Sequence, residues 1–302
     1  MVASNSNSSN TPNSQKNIRR LRILQKRGLF GELPNKIFCK RATEVNELKA
    51  AYQLVYRIFL EENFIVPNLS GMRVRTYEAS PSTATFICKN DGYVIATFSA
   101  FLDTPALNLP ADKTFGPELN ALRDEGAILC ELGNNAILPE YRGTSIITEH
   151  MRCIFAQAWL HDVTDFVCAI SPPQIPFYSM LGFSQLGEIK SYSDVVYDPV
   201  AVMRYQNVPG IWEQPKDAND DIATFRHHFF AIENPYIPVV QLWDSMVDRL
   251  FSTPSKMAEL FDDCLMDFEQ MPVSDQKTIA ASTGLPLGVA VGERDSRYEG
   301  ML

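Results

Sequence analysis

The stretch Ala127–Ser145, AILCELGNNAILPEYRGTS, constrains this chain more than any other. Ala127, Ile128, Leu129 and Cys130 form the apolar start of a buried strand, and Glu131 sets a carboxylate inside it. Gly133, Asn134 and Asn135 interrupt that run before Ala136, Ile137 and Leu138 resume it and Pro139 ends it. A glycine and two asparagines within a strand predict a bulge or splayed edge with unpaired backbone N–H groups. Arg142, Gly143, Thr144 and Ser145 follow, just ahead of an apolar run of helical period. That order predicts an anion site at a helix N-terminus, where free amides and the helix dipole favour phosphate. A strand with spare donors leading into such a turn suits a thioester with a phosphate on its tail.

The flanking segments predict an α/β (α+β) architecture, a mixed sheet with helices on both faces. Thr43 reads as the N-cap of a helix running to Glu62, with Val45, Leu48, Tyr52, Val55 and Phe59 at helical spacing. Thr83–Lys89 and Tyr93–Leu102 are β-rich runs joined by Asn90-Asp91-Gly92, a strong hairpin signal. Residues 103–125 read as a polar, proline-containing loop. After the central stretch come a helix ending near His161, a strand at Phe166–Ile170 and a brief helix at Ile175–Phe183 stopped by Gly182. Val195–Val196 and Val200–Tyr205 are further strand candidates. Helical patterns follow at about 220–232, 237–251 and 254–270, the last opened by Thr253 and Pro254. Its stripe of Met257, Leu260, Phe261, Cys264, Leu265 and Phe268 is expected to pack on the main domain. The expected organisation is a flexible basic arm over 1–35, a main domain over 36–210, and a helical extension with a weakly ordered tail over 211–302.

An apolar share of 45% and a charged share of 21% are ordinary for a globular protein. No apolar stretch approaches the roughly 18 residues of a membrane span. Met1–Gln15 is rich in Ser and Asn and lacks the apolar core of a secretory signal, so a cytoplasmic location is expected. The six cysteines (39, 88, 130, 153, 168, 264) have no CxxC pair and read as reduced core residues. The four histidines show no metal-ligand spacing with them, and no metal site is expected. Residues 1–42 hold nine Lys/Arg against one acid, in a chain of net charge −9. Lys16, Arg19, Arg20, Arg22, Lys26 and Arg27, interleaved with apolar residues, suit a solvated arm, an acidic protein partner or an anionic membrane surface. The acidic body disfavours nucleic acid.

Ile137-Leu138-Pro139-Glu140-Tyr141-Arg142-Gly143, followed about 35 residues later by Tyr178-Ser179-Met180-Leu181-Gly182-Phe183, resembles the GNAT acyltransferase superfamily. Tyr56-Arg57-Ile58-Phe59 through Phe64 resembles the first helix of acyl-homoserine-lactone synthases and of N-acyl amino acid synthases. Glu131-Leu132-Gly133-Asn134 is similar to their Glu-x-x-Arg strand. The resemblance covers roughly residues 36–207. It departs from the superfamily's phosphate loop at Ser145 and Ile147, where glycine-type residues are usual, and from the lactone synthases at Asn134, where they carry arginine. The first departure fits a phosphopantetheine arm on an acyl carrier protein better than CoA. The second points away from homoserine lactone.

The resemblance implies N-acyl transfer, from an acyl-carrier-protein thioester to the amine of an amino acid, with that thioester as co-substrate and no tightly bound cofactor. Glu131 is the candidate general base, and Tyr178, by its matched position, the proton donor to the departing thiolate. Asn134, Ile137 and Leu138 are expected to hold the thioester and pantetheine arm, and Arg142, Gly143, Thr144 and Ser145 the phosphate. Arg57, ahead of Arg73 and Arg75, is the expected partner of the acceptor carboxylate. Cys130, in an apolar strand, reads as an inert core thiol. Three other readings stay open: an acyl-homoserine-lactone synthase, an acetyl-CoA-dependent N-acetyltransferase, and a non-catalytic acyl-binding protein on the same fold.

Overall fold

A computed structural model describes residues 36–192, 199–206 and 233–287, together with 19, 22–23, 26, 28–29, 31–34 and 208–209. Most of the basic arm, the strand candidate Val195–Val196, the helical pattern at 220–232 and the tail beyond 287 lie outside the described residues.

Strands β1 (Ile37–Arg41), β2 (Thr83–Asn90), β3 (Tyr93–Leu102), β4 (Leu129–Ile137), β5 (Asp165–Ile170), β6 (Ser184–Lys190) and β7 (Val200–Tyr205) form a seven-stranded sheet in the order β1-β2-β3-β4-β5-β7-β6. Neighbours are antiparallel except β4 and β5, which are parallel. A parallel pair needs a crossover, and a helix of the chain supplies it here. The described helices are α1 (Val45–Glu61), α2 (Asp112–Asp124), α3 (Ile146–Leu160), α4 (Ile175–Leu181), α5 (Ile237–Phe251), α6 (Pro254–Phe261), α7 (Leu265–Glu269) and α8 (Val273–Thr283). Helix α3 is the crossover. Among them none is long and apolar enough to cross a membrane.

Side-chain alternation along the strands divides the core into layers. Phe86, Phe98, Cys130, Leu132 and Phe166 face Ile154 and Phe155 of α3 and Met180 and Leu181 of α4. On the other face Ile87 meets Leu48, Ala51 and Tyr52 of α1, while Phe101, Leu129 and Val167 meet Phe115, Leu119 and Leu122 of α2. Met257, Leu260, Phe261, Cys264 and Phe268 join the α1 layer, as their stripe predicts.

Several elements differ from the sequence expectation. Residues 112–124 are helix where a loop is expected. Phe115 breaks helical geometry (φ −117°, ψ 21°), so Pro117 stands in the first turn of a second helical piece, where its missing N–H costs nothing. Strands β1 and β6 carry no period-2 signal and are formed by pairing partners far along the chain. Thr43 is not the N-cap of α1; Glu44 is, and the Thr43 N–H donates to Glu47 (3.1 Å). The expected helix at 254–270 is broken by a 3₁₀ turn over Asp262–Cys264. Cys39 and Cys88, expected reduced, are joined as a disulfide between β1 and β2. The hairpin holds as expected, with Asp91 (φ 47°) and Gly92 (φ 89°) both in the left-handed region that a two-residue turn requires.

Phe166 is fully buried, its ring edge-on to that of Phe155 with centroids 4.7 Å apart. Phe166→Ala should lower unfolding stability by about 3–5 kcal/mol in urea titrations, and a loss below about 1 kcal/mol would contradict this core assignment.

Candidate active site

Strand β4 pairs with β5 at Leu129, Cys130 and Glu131 only, opposite Asp165, Phe166 and Val167. Past Glu131 the two strands part. On its other side β4 stays on β3, but with a shift: Ser99 faces Gly133 and Thr97 faces Ala136. Two steps along β3 thus match three along β4, and the extra residue is a bulge. Asn134 takes up the bulge in the left-handed region, φ 52°, a conformation asparagine tolerates better than most residues. Both predicted features, bulge and splayed edge, are present.

The Asn134 amide is not aimed at a ligand. Its Nδ2 donates to Glu78 Oε1 (2.8 Å), and Glu78 is fully buried. Arg75 supplies Glu78 with its backbone N–H (2.7 Å) and a guanidinium bond (2.7 Å). Burial alone would raise the Glu78 pKa; the charge and hydrogen bonds of Arg75, the charge of Arg73 and the Asn134 amide bring it below the ordinary value of 4.5.

Where the strands part there is a cleft of about 180 Å³, lined by Leu132, Gly133, Asn134 and Asn135 of β4, Ala169 and Ile170 of β5, and Phe59 and Phe64 near the end of α1. A cavity of about 240 Å³ adjoins it and shares the walls Phe98, Asn135, Gln174 and Tyr178. Its remaining lining is mainly apolar: Leu29, Ile147, Met151, Phe177 and Leu181. Tyr178 stands at the junction, its ring edge-on to Phe177 and Phe183. Burial pushes its phenol well above the usual value, and no described residue hydrogen-bonds its hydroxyl.

Beyond the bulge, the Leu138 N–H donates to the Ile95 carbonyl (3.1 Å). By the alternation of an antiparallel ladder, Ile137 therefore points its N–H and C=O away from β3, toward the β5 side. Arg142 Nε donates to that Ile137 carbonyl (3.2 Å), and its guanidinium also reaches Glu62 (3.3 Å). Gly143 follows with φ 77°. The Thr144 hydroxyl donates to Tyr141 (2.7 Å), Ser145 to the Glu32 carbonyl (3.3 Å) and Thr148 to the Leu29 carbonyl (2.7 Å). The helical ladder of α3 begins with Glu149 N–H to Ser145 C=O (2.9 Å), which leaves the amides ahead of it outside the ladder.

Of the expected residues, Asn134 and Tyr178 line the cleft, while Ile137, Arg142, Gly143, Thr144 and Ser145 run from the end of β4 to the start of α3 and line neither space. Three others are placed as follows. The Leu138 amide is already bonded within the sheet. Glu131 is buried, accepts the Ala111 N–H (2.7 Å) at the start of α2 and is not among the residues lining either space. Arg57 is exposed on α1, whereas Arg73 lies 5.2 Å over the ring of Phe59, which lines the cleft. Cys130 is buried with its thiol pushed up chiefly by burial, which agrees with an inert role. Leu29, Phe98 and Gln174 line these spaces although no motif contains them, and Asn135, part of the interruption in β4, lines both.

Residues 50–206 match the family described as "N-acyl amino acid synthase FeeM". Among solved structures, FeeM, an N-acyl amino acid synthase from uncultured soil microbes, is 24% identical, with a TM-score of 0.53 over 63% of this chain and 97% of FeeM. The acyl-homoserine-lactone synthase LasI is 19% identical (TM-score 0.44; 56% of this chain, 88% of LasI). BjaI, a CoA-dependent acyl-homoserine-lactone synthase, is 12% identical (TM-score 0.45; 68% of this chain, 99% of BjaI). No curated protein matches the chain.

Because the folded state holds the Glu78 carboxyl below 4.5, the stability it contributes is complete above pH 4.5 and is lost as pH falls through the lower folded value. Glu78→Gln should lower stability at neutral pH by about 1–3 kcal/mol and flatten the acid side of the stability–pH curve. Parallel curves for the two proteins below pH 4.5, measured by urea unfolding, would remove Glu78 from this role.

Proposed function

Because the chain belongs to the FeeM family of N-acyl amino acid synthases, acyltransferases of the GNAT superfamily, we propose that it transfers a fatty acyl group from an acyl-carrier-protein thioester to the amine of an amino acid. The observation that carries this reading is the parting of β4 from β5 beyond Glu131, with Tyr178 lining the cleft so opened. The pantetheine arm enters as a surrogate strand and bonds the free edge of β4, the Ile137 N–H included. Its phosphate rests on the amides at the start of α3, with Arg142 at hand and Gly143 making the turn. The acyl tail fills the cavity walled by Leu29, Ile147, Met151, Phe177 and Leu181.

In the transfer the amine nitrogen attacks the thioester carbonyl carbon. The C–N bond forms, the C–S bond breaks, the amine gives up a proton and the sulfur takes one. Tyr178 donates to the sulfur: no described residue occupies its hydroxyl, and its raised pKa keeps it protonated at working pH. The amine proton leaves to solvent in the cleft, because Glu131 is buried, bonded to the Ala111 N–H and lines neither space. Asn134 acts through the backbone of the bulge, its amide being committed to Glu78. Arg73, beside Phe59, takes the place expected of Arg57 as partner of the acceptor carboxylate. The basic arm suits an acidic carrier protein by charge complementarity.

The test incubates the full chain with acyl-carrier-protein thioesters of graded length and each free amino acid, with products read by mass spectrometry. N-acyl amino acids are expected. Product formed only with S-adenosylmethionine, or only from acetyl-CoA, would replace this reading by a lactone synthase or an acetyltransferase; no product at all would favour an acyl-binding protein. Tyr178→Phe should lower kcat by about 10²–10⁴ with little change in KM. Leu29→Ala, by removing a cavity wall, should shift the preferred acyl chain to greater length. An unchanged kcat would take the donor role from Tyr178, and an unchanged length profile would take the wall from Leu29.

A further inference from the structure

Away from both clefts, Cys39 of β1 and Cys88 of β2 stand directly opposite each other in the ladder, under His150 of α3. The ligand atoms of these three buried residues lie within 4.8 Å of one another. His150 is fully buried, yet neither ring nitrogen has a hydrogen-bond partner. Two orphaned nitrogens on one buried imidazole are unusual, since buried polar atoms are nearly always satisfied. With the disulfide closed, no described residue bonds them.

We propose that reduction of the Cys39–Cys88 disulfide turns these three residues into a zinc site, with two thiolates and one imidazole as ligands. The reductant is a small-molecule thiol: two electrons and two protons convert the disulfide to two thiols, and the reducing thiols become a disulfide. Binding of Zn²⁺ then releases both cysteine protons to solvent. At zinc–sulfur and zinc–nitrogen lengths of about 2.3 and 2.0 Å, ligand atoms on a tetrahedral ion stand roughly 3.5–3.8 Å apart. With the disulfide closed the imidazole already lies within 4.8 Å of both sulfurs, so that spacing is reached once reduction lets the sulfurs part. Zinc is favoured over a monovalent soft ion by charge, because Zn²⁺ and two thiolates cancel. A cuprous ion would leave a net negative charge in a buried layer. The unbonded imidazole nitrogens of His150 offer a lone pair to a metal. A water or backbone carbonyl completes the fourth position.

The experiment uses the full chain, reduced with a phosphine and freed of it, and titrated with Zn²⁺ against a chromophoric chelator. One equivalent should bind, and none to protein reoxidised with diamide. Co²⁺ in place of zinc should give thiolate charge-transfer bands and tetrahedral d–d bands. His150→Cys should retain binding, while His150→Phe should weaken it at least tenfold; circular dichroism checks that each variant is folded. The proposal is overturned if reduced wild-type protein gives no cobalt charge-transfer bands, which needs no variant. Zinc binding equal in wild type and a Cys39→Ser/Cys88→Ser variant would also overturn it.

Discussion

The hydrogen bond from Asn134 to the buried carboxylate of Glu78 is the contact on which the site depends. A non-glycine residue in the left-handed region costs on the order of 1 kcal/mol, and a bulge removes ladder bonds as well. Here both are offset by a charge-assisted bond from the Asn134 amide to Glu78. Glu78 is in turn stabilised as a charge by Arg75, through both backbone and guanidinium. The loop carrying Arg75 and Glu78 therefore holds β4 in its bent form, and the bend accompanies the loss of pairing with β5.

Parting two strands in the middle of a sheet exposes polar backbone, which a fold tolerates only where something else will bond it. The result is a passage from one face of the sheet to the other. Phe59 and Phe64 line it from the α1 side, and Tyr192 and Val200 from the α2 side. Phe98 and Tyr178 line it from the side of α3 and α4. On the proposed function, a thioester threaded through such a gap would meet its acceptor on one face and keep its acyl tail on the other. Arg73 and the Arg75–Glu78 pair belong to the first face. The apolar cavity belongs to the second. The division of labour follows from topology, because only at the β4–β5 step do parallel neighbours meet without a hairpin to keep them together.

Local chemistry made the central part of this arrangement legible in the sequence. A glycine and two asparagines inside an apolar run announced the bulge; Gly143 and the helical period after it announced the turn and α3; Gly182 announced the end of α4, where it sits at φ 102°. What could not be read is what depends on partners distant in the chain. Strand β1 exists because Ile37–Arg41 finds β2, and helix α2 was hidden by a proline whose effect depends on the break at Phe115. Glu131 looked available because nothing near it in sequence bonds it; Ala111, twenty residues away, does. Arg57 had the right neighbours in sequence but the wrong face of its helix. Cys39, Cys88 and His150 meet only once α3 has crossed the sheet.

The departures from the superfamily's phosphate loop have a use in this fold. Where glycine-type residues are usual, Ser145 sends its hydroxyl to the Glu32 carbonyl and Ile147 walls the apolar cavity. Thr148, one residue further, holds the Leu29 carbonyl, and Leu29 is buried against the same cavity. The start of α3 therefore does two jobs with different atoms. Its side chains fasten the segment before β1, while its first backbone amides lie outside the helical ladder, that of Ile146 reaching the Thr144 hydroxyl (3.5 Å). A glycine at 145 would keep the amide but lose the bond to the Glu32 carbonyl, and one at 147 would remove a wall of the cavity. On the proposed function, the same residues would enclose the donor's acyl tail from the N-terminal side.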